Sequence, residues 1–192
     1  LSCQRGYNLL FKNLSFELNS GEVLKISGPN GSGKTSLMKI LAGLNSFETG
    51  SIKYDNIKIN SEKYNLDFLY LGHLAALSPE LSCLENLKYT AHLGNNNLNP
   101  DFSDALTKVG LEKFENELVG KLSAGQKKRI ALSLLFITQS KVWLLDEPFS
   151  ALDSQAIKII ESRIEEHCNS GGLCILTTHQ ECNIKNIKEI SL

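Results

Sequence analysis

The sequence lacks an apolar run long enough to cross a membrane, a cysteine pair at metal-binding or disulfide spacing, and an excess of positive charge. The longest apolar stretch, at residues 130–137, contains a serine and falls well short of the ~18 residues that a spanning helix needs. A formal net charge of −1 provides no basic field for a phosphate backbone, so we expect no nucleic-acid partner. We also expect no secretory signal peptide.

Cysteine is scarce and scattered. The 192 residues contain five, an odd number, and none forms a C-x-x-C pair. This usage is typical of a protein in a reducing compartment, where thiols stay free, and it does not favour a metal centre built from cysteine. The five positions are Cys3, Cys83, Cys168, Cys174 and Cys182.

The hydrophobic pattern indicates strands and helices of one domain. Short apolar runs at 23–27, 142–145 and 174–178 are typical of buried parallel strands, and 68–71 is a further strand candidate. Imperfect alternation over 51–59 predicts a small antiparallel sheet. Apolar residues at helical spacing predict helices over 35–44, 84–93, 101–109, 123–138 and 154–168.

We therefore predict an α/β fold with a parallel sheet and a small antiparallel β subdomain, both within residues 1–71 and 130–192. Residues 72–129 are predicted to form a helical insertion, in which the asparagine-rich run at 94–99 is a loop. Nothing in the sequence indicates a linker or an internal repeat, so the whole chain is predicted to be a single domain.

The segment GPNGSGKT matches the phosphate-binding pattern G-x-x-x-x-G-K-[ST] at every position. It follows a predicted strand and precedes a predicted helix, the context in which such a loop turns its backbone N–H groups toward a phosphate. Here Lys34 would bridge the β- and γ-phosphates of a nucleotide, and the Thr35 hydroxyl would bind Mg²⁺. The candidate phosphate-binding residues are Gly28, Pro29, Asn30, Gly31, Ser32, Gly33, Lys34, Thr35 and Ser36.

Two carboxylates and a histidine follow predicted core strands. Asp146 lies at the tip of an apolar strand, where it can reach a magnesium ion, and Glu147 is placed to orient and deprotonate an attacking water. His179 follows the last apolar strand, from which its imidazole can reach a γ-phosphate or the attacking water. We therefore assign candidate catalytic roles to Glu147, His179 and Lys34.

A third pattern, LSAGQ at 122–126, begins a predicted helix. Ser123 is a good N-cap, Gly125 permits close backbone approach, and a helix N-terminus attracts anions, so these residues and Gln126 are predicted to contact a triphosphate. The alternative interpretation is a capped helix with a solvated basic first turn. Since the chain also carries the phosphate loop, we predict that LSAGQ caps the triphosphate of a second copy and that the protein acts as a dimer.

In this order, the motifs resemble those of the nucleotide-binding subunits of ATP-binding cassette (ABC) ATPases. GPNGSGKT resembles the Walker A loop, LSAGQ the signature, VWLLDE the Walker B strand, SALD the D-loop and His179 the switch histidine. The resemblance covers almost the whole chain. The stretches LSAGQKKRIAL, LYLGH, LENL and LTTHQ are most similar to the haem-exporter ATP-binding subunits of cytochrome c maturation.

The resemblance implies a P-loop NTPase fold of the ABC type, with ATP and Mg²⁺ as ligands. It implies hydrolysis in an ATP-sandwich homodimer, in which Asp153 communicates across the interface. It also implies a separate multi-span membrane subunit, a peripheral location on the cytoplasmic face of the inner membrane, and haem delivery for c-type cytochromes.

Two positions depart from the family pattern. The family has a glutamine where the core joins the helical insertion, but no glutamine occurs between Gln4 and Gln126. His73 falls at or next to that position. Either it replaces the glutamine as a polar ligand near Mg²⁺, which is the interpretation we favour, or coupling at this position uses the backbone and water. The family often stacks an aromatic side chain on adenine, whereas Arg5 aligns at that position here and Tyr7 follows two residues later; an arginine can also stack on a base.

Proteins with other functions share some of these sequence motifs. The ATPase subunit of a different ABC exporter would have the same motifs. A further alternative is a soluble ABC ATPase that acts on ribosomes, DNA or iron–sulfur assembly. The ribosome-acting kind usually has two cassettes in one chain, and the DNA-repair kind has a long coiled coil; neither occurs here. The presence of both Glu147 and His179 disfavours a module that binds without hydrolysis, and the lack of an N-K-x-D sequence disfavours a small GTPase.

Overall fold

The computed structural model describes residues 1–6, 8–59, 67–93 and 100–192, so Tyr7 and the predicted loop at 94–99 lie outside the described residues. In chain order the described strands are β1 (Cys3–Arg5), β2 (Asn8–Phe11), β3 (Val23–Ser27), β4 (Lys53–Tyr54), β5 (Ile57–Lys58), β6 (Phe68–Leu71), β7 (Val142–Asp146), β8 (Leu173–Thr177) and β9 (Ile187–Ser191). The described α-helices are α1 (Lys34–Leu41), α2 (Cys83–Leu93), α3 (Phe102–Lys108), α4 (Ala124–Ser133) and α5 (Ser154–Asn169).

A parallel sheet of five strands, in the order β6–β7–β8–β3–β9, forms the centre of the protein. Strands β1 and β2 form an antiparallel pair, as do β4 and β5. The predicted α/β fold with a parallel core and small antiparallel sheets is confirmed. Because the five strands run in one direction, the carboxyl ends of β3, β7 and β8 meet at the same edge of the sheet.

Side chains that alternate along β7 divide the core into two clusters. Trp143 and Leu145 pack into a cluster formed with helices α2 to α5, whereas Val142 and Leu144 pack into a second cluster with α1. None of the four is more than 4% exposed. Helices therefore cover both faces of the sheet, which is why β7 is apolar at successive positions rather than at alternate ones.

Several elements differ from the sequence prediction. The hydrophobic pattern does not predict β1 or β2, and α1 ends at Leu41 rather than at residue 44. The hydrophobic pattern does not predict β9 either, because in this edge strand only Ile187 and Ile190 are half-buried, and the exposed Lys188 and Glu189 separate them. The helix predicted over 123–138 is shorter: α4 ends at Ser133, and a 3₁₀ turn follows over Leu134–Phe136.

The predicted helical insertion contains α2 and α3, and its predicted end at residue 129 falls within α4. The division into core and insertion stays a prediction. Across the described residues, no helix combines the length and the apolar character that crossing a bilayer requires.

A buried histidine links α5 to the sheet. The His167 ring stacks on Trp143 with the two ring centroids 3.7 Å apart, and its Nε2 donates to the carbonyl oxygen of Lys141 over 3.1 Å. Burial lowers the pKa of His167 below its ordinary value of 6.5. The folded protein therefore keeps this ring neutral at pH values where an unfolded histidine takes up a proton.

This difference in proton uptake predicts a pH-dependent stability. The free energy of unfolding is expected to fall as the pH drops below about 6.5, by at most about 1.4 kcal/mol per pH unit from this one group. Urea unfolding at a series of pH values measures the slope. The matched variant His167→Phe keeps a stacked ring but cannot titrate, and the same slope in that variant would assign the effect to other groups.

Candidate nucleotide-binding site

A cavity of about 640 Å³ opens at the edge of the sheet where β3, β7 and β8 end. It brings together the phosphate loop, both carboxylates and His179, which lie far apart in the sequence. The lining residues are Leu10, Asn30, Gly31, Gly33, Lys34, Thr35, Ser36, His73, Asp146, Glu147, Ser150, Ala151, His179 and Gln180.

The phosphate loop joins β3 to α1 through backbone that only glycine adopts easily. Gly28 has a φ of 139°, and a Cβ added there would lie 2.7 Å from the carbonyl oxygen of Leu192. Gly33 has a φ of 103° and directly precedes α1, whose N-terminus no side chain caps. The first turn of α1 therefore presents backbone N–H groups and a partial positive charge, which favour an anion.

Lys34 is the first residue of α1 and is only 8% exposed. Its ammonium lies inside the loop, where Nζ donates to the carbonyl oxygens of Gly28 at 2.8 Å and Pro29 at 3.0 Å. These contacts hold a positive charge at the wall of the cavity. A phosphate in the loop would meet both this ammonium and the helix N-terminus.

Asp146, at the end of β7, is 1% exposed. Its Oδ1 accepts a hydrogen bond of 2.8 Å from the hydroxyl of Thr177, the last residue of β8. The same hydroxyl accepts from the backbone N–H of Glu147 at 2.9 Å. Thr177 thus orients both carboxylate residues, a role that sequence reasoning missed because it depends on the pairing of two strands.

Glu147 directly follows β7 with a φ of 50°, a left-handed conformation that is uncommon for residues other than glycine. This turn aims its carboxylate at His179, whose Nε2 lies 3.5 Å from Oε1. The distance suits an ion pair when the imidazole is protonated, but it is too long for a good hydrogen bond. The hydroxyl of Ser150 donates to the carbonyl oxygen of Glu147 at 2.9 Å and stabilises the turn.

Three buried side-chain oxygens among the described residues have no hydrogen-bond partner: Ser32 Oγ, Asp146 Oδ2 and Glu147 Oε1. All three belong to the phosphate loop or the carboxylate pair. Leaving a buried polar atom unpaired costs about 1–3 kcal/mol, so the two of these atoms that belong to cavity-lining residues, Asp146 Oδ2 and Glu147 Oε1, point to a polar ligand that completes the site.

Asp146 and Thr35 also suit a magnesium ion, which prefers oxygen ligands. Asp146 Oδ2 is buried and unpaired, and the Thr35 hydroxyl belongs to the lining of the same cavity. His73 lines the cavity as well, but an imidazole nitrogen is a softer ligand than Mg²⁺ usually takes. The donors present therefore fit the ion without a contribution from His73.

The LSAGQ segment does not line this cavity, although it packs against Ala151, which does. Ser123 caps α4: its Oγ accepts from the backbone N–H of Gln126 at 3.2 Å, and Gln126 Oε1 accepts from the backbone N–H of Ser123 at 2.9 Å. Gly125 packs on the loop after β7, since a Cβ there would lie 2.6 Å from the carbonyl oxygen of Ala151. Ser123, Gly125 and Gln126 are not among the residues that line the cavity of their own chain.

Of the two residues predicted to stack on adenine, the structure describes Arg5 but not Tyr7. Arg5 is exposed at the end of β1 and does not line the cavity. Leu10 of β2 does line it, and lies against the phosphate loop, because a Cβ added to Gly33 would be 3.0 Å from Leu10 Cβ. No sequence signal marks Leu10, since its contact with Gly33 joins distant parts of the chain.

Comparison with known sequences identifies related proteins and a matching family. The family model of ABC transporters matches residues 11–150. The cytochrome c biogenesis ATP-binding export protein CcmA of Histophilus somni is 43% identical, in an alignment that covers 100% of this chain and 90% of that protein. The protein of the same name from Shewanella oneidensis is 46% identical, with coverage of 96% and 86%.

Solved structures share the fold. A putative ABC transporter ATP-binding protein from Pyrococcus furiosus superposes with a TM-score of 0.84 and 23% identity, over 98% of this chain and 92% of that one. A dimeric ATP-binding cassette with bound ADP and phosphate gives 0.80 and 24%, over 93% and 84%. Sequence identities as low as these two show only that the fold is shared. The family match and the relatives at 43% and 46% identity show the family. The chain belongs to the ABC transporter ATP-binding family and is an ATPase of that family.

Proposed function

We propose that this ATPase works as a homodimer and drives a separate membrane subunit that delivers haem for the maturation of c-type cytochromes. The observation that carries the proposal is the separation of two half-sites within one chain. The phosphate loop and the carboxylates line one cavity, whereas Ser123 and Gly125 lie outside it. A second copy is the simplest source of the missing half.

In the proposed dimer, each ATP lies between the phosphate loop of one copy and the LSAGQ segment of the other. Lys34 and the N-terminus of α1 hold the phosphates, and the partner's Ser123, Gly125 and Gln126 close the site from the opposite side. Closure excludes water, which strengthens each charge-assisted contact in the site. Arg5 and Tyr7 remain the candidates for stacking on adenine.

In hydrolysis, the oxygen of a water molecule forms a bond to the γ-phosphorus. The bond from this phosphorus to the oxygen that bridges it to the β-phosphate breaks, and ADP keeps the electron pair. Glu147 orients the water and accepts its proton, consistent with an unpaired Oε1, and His179 beside it holds the γ-phosphate. Bound to Asp146 and Thr35, Mg²⁺ would neutralise charge that develops on the phosphates.

The substrate and the location are proposed from the relatives, which are named as ATP-binding export proteins of cytochrome c biogenesis. Export needs a path through the membrane, and no described helix can provide one. We place the chain on the cytoplasmic face of the inner membrane, bound to a multi-span subunit. The predicted helical insertion at 72–129 would carry the motion of dimer closure to that subunit.

The proposal is tested by purifying the Glu147→Gln variant from membranes in the presence of ATP. We expect one multi-span polypeptide to accompany it, together with bound haem detected by its absorption spectrum. A multi-span partner without haem would instead indicate another ABC exporter. Purification of the variant with no membrane polypeptide at all would contradict the transport role.

His73 provides a further test, because it lies at the junction of the core with the predicted insertion and lines the cavity. His73→Ala is expected to reduce the ATPase activity of the membrane complex several-fold while changing the activity of the isolated chain little. His92→Ala removes a histidine of α2 outside the cavity and is the control. Equal losses in the complex and in the isolated chain would reject the coupling role.

A further inference from the structure

Helix α4 packs on the chain segment 146–153 through three residues on one of its faces. Gly125 lies against the carbonyl oxygen of Ala151, and Arg129 forms an ion pair with Asp153. Between them, Lys128 reaches the start of the segment. Lys128 and Arg129 follow Gly125 by three and four residues, the spacing at which residues are neighbours of the first on one face of a helix.

Lys128 is the unusual member of this set, because it is only 7% exposed although it lies in a basic run. Its Nζ donates to the carbonyl oxygen of Asp146 at 3.4 Å. This oxygen belongs to the peptide group that joins Asp146 to Glu147. Burial lowers the pKa of the Lys128 ammonium, and the charges of Asp146 and Glu147 partly offset this effect.

A buried lysine with a single long hydrogen bond contributes little to folding by itself, since the loss of its hydration is unfavourable. Its contact is nevertheless with the peptide group that connects the two proposed catalytic carboxylates. A small displacement of this peptide would move Glu147 relative to the γ-phosphate. Because Glu147 already has a left-handed backbone conformation, the orientation of its carboxylate depends on what holds this turn.

We propose that Lys128 is a positioning residue for ATP hydrolysis, which holds the Asp146–Glu147 peptide group against α4. The inference rests on the proposed function, in which the Ser123 end of the same helix contacts the ATP of the second copy. Lys128 thus links the ATP at one site to the carboxylates of the other.

The test compares Lys128→Met, which removes the charge but keeps the length, with Lys128→Arg, which keeps a cation and N–H donors. Steady-state hydrolysis is measured with the purified full chain. We expect Lys128→Met to lower kcat on the order of 10- to 100-fold, as for a small misplacement of a catalytic group, with KM within about twofold. Lys128→Arg should recover most of the loss, and Lys127→Met, at the neighbouring position, should change neither constant.

Hydrogen exchange of the nucleotide-free protein gives a second readout that does not need hydrolysis. Lys128→Met should speed amide exchange in a peptide that covers 146–153 and leave one that covers β3 unchanged. If the wild-type chain fails to hydrolyse ATP, the proposed function fails, whereas the exchange result still decides the role of Lys128.

Several outcomes would overturn the positioning role. One is a kcat of Lys128→Met within about twofold of the wild-type value. Another is a loss of ATP affinity in Lys128→Met that accompanies the loss of kcat. A third is an amide hydrogen exchange rate over 146–153 that is the same in Lys128→Met as in the wild type. If Lys128→Met does not fold, Lys128→Gln replaces it. A drop in melting temperature shared by every variant that folds, Lys128→Arg included, would show a purely structural role.

Discussion

Replacing Glu147 with Gln is expected to leave ATP binding intact, slow hydrolysis by about 100- to 10,000-fold, and trap two copies around two ATP molecules. The amide keeps the size of the side chain but cannot accept a proton from water. Without phosphate release the two half-sites stay joined, so the dimer accumulates. Gel filtration with light scattering in Mg-ATP measures the mass, and phosphate release measures the turnover.

The two readouts separate the two parts of this prediction. A variant that stays monomeric with Mg-ATP would contradict the ATP-sandwich dimer, whatever its turnover. Turnover equal to that of the wild type would instead contradict the role of Glu147 as base. Glu112→Gln is the matched control, because Glu112 is exposed and lies outside the cavity.

Replacing Lys34 with Ala is expected to weaken ATP binding by on the order of 100-fold, which corresponds to about 3 kcal/mol. The change removes a buried ammonium that the loop carbonyls of Gly28 and Pro29 hold at the cavity wall. The phosphates then lose their one charged contact in the loop, while the N-terminus of α1 remains. Isothermal titration calorimetry with ATP and Mg²⁺ measures the affinity.

Lys39→Ala serves as the control for Lys34→Ala, because Lys39 is an exposed residue of the same helix. The melting temperature of each variant, measured without nucleotide, shows whether α1 is still folded. An ATP affinity of folded Lys34→Ala equal to that of the wild type would contradict the phosphate-binding role of the loop.

The phosphate loop could be predicted from the sequence because its geometry is local. Gly28 and Gly33 have positive φ angles, which residues other than glycine rarely adopt. The Lys34 side chain folds back and donates to carbonyl oxygens five and six residues earlier in the chain. The capping of α4 by Ser123 is local for the same reason, since its partner Gln126 is three residues away. Contacts of this kind join residues that are close in sequence, so a short motif is enough to predict them.

Other parts of the site could not be predicted, because strand pairing creates them. Thr177 orients Asp146 and Glu147 only because β7 and β8 are neighbours in register. Leu10 reaches the cavity because β2 packs on the phosphate loop. The edge strand β9 could not be predicted because three of its five residues are exposed and only two are apolar.

Lys128 shows most clearly how far sequence reasoning extends. The basic run after LSAGQ is typical of a solvated helical turn, and exposure is the usual state of a lysine. The sequence by itself determined the fold class, the nucleotide chemistry and the family, because these depend on the order of short local motifs. Only the tertiary structure decided that Lys128 is buried against the Asp146 carbonyl and that Ser123, Gly125 and Gln126 do not line their own chain's cavity, because both depend on how separate elements pack.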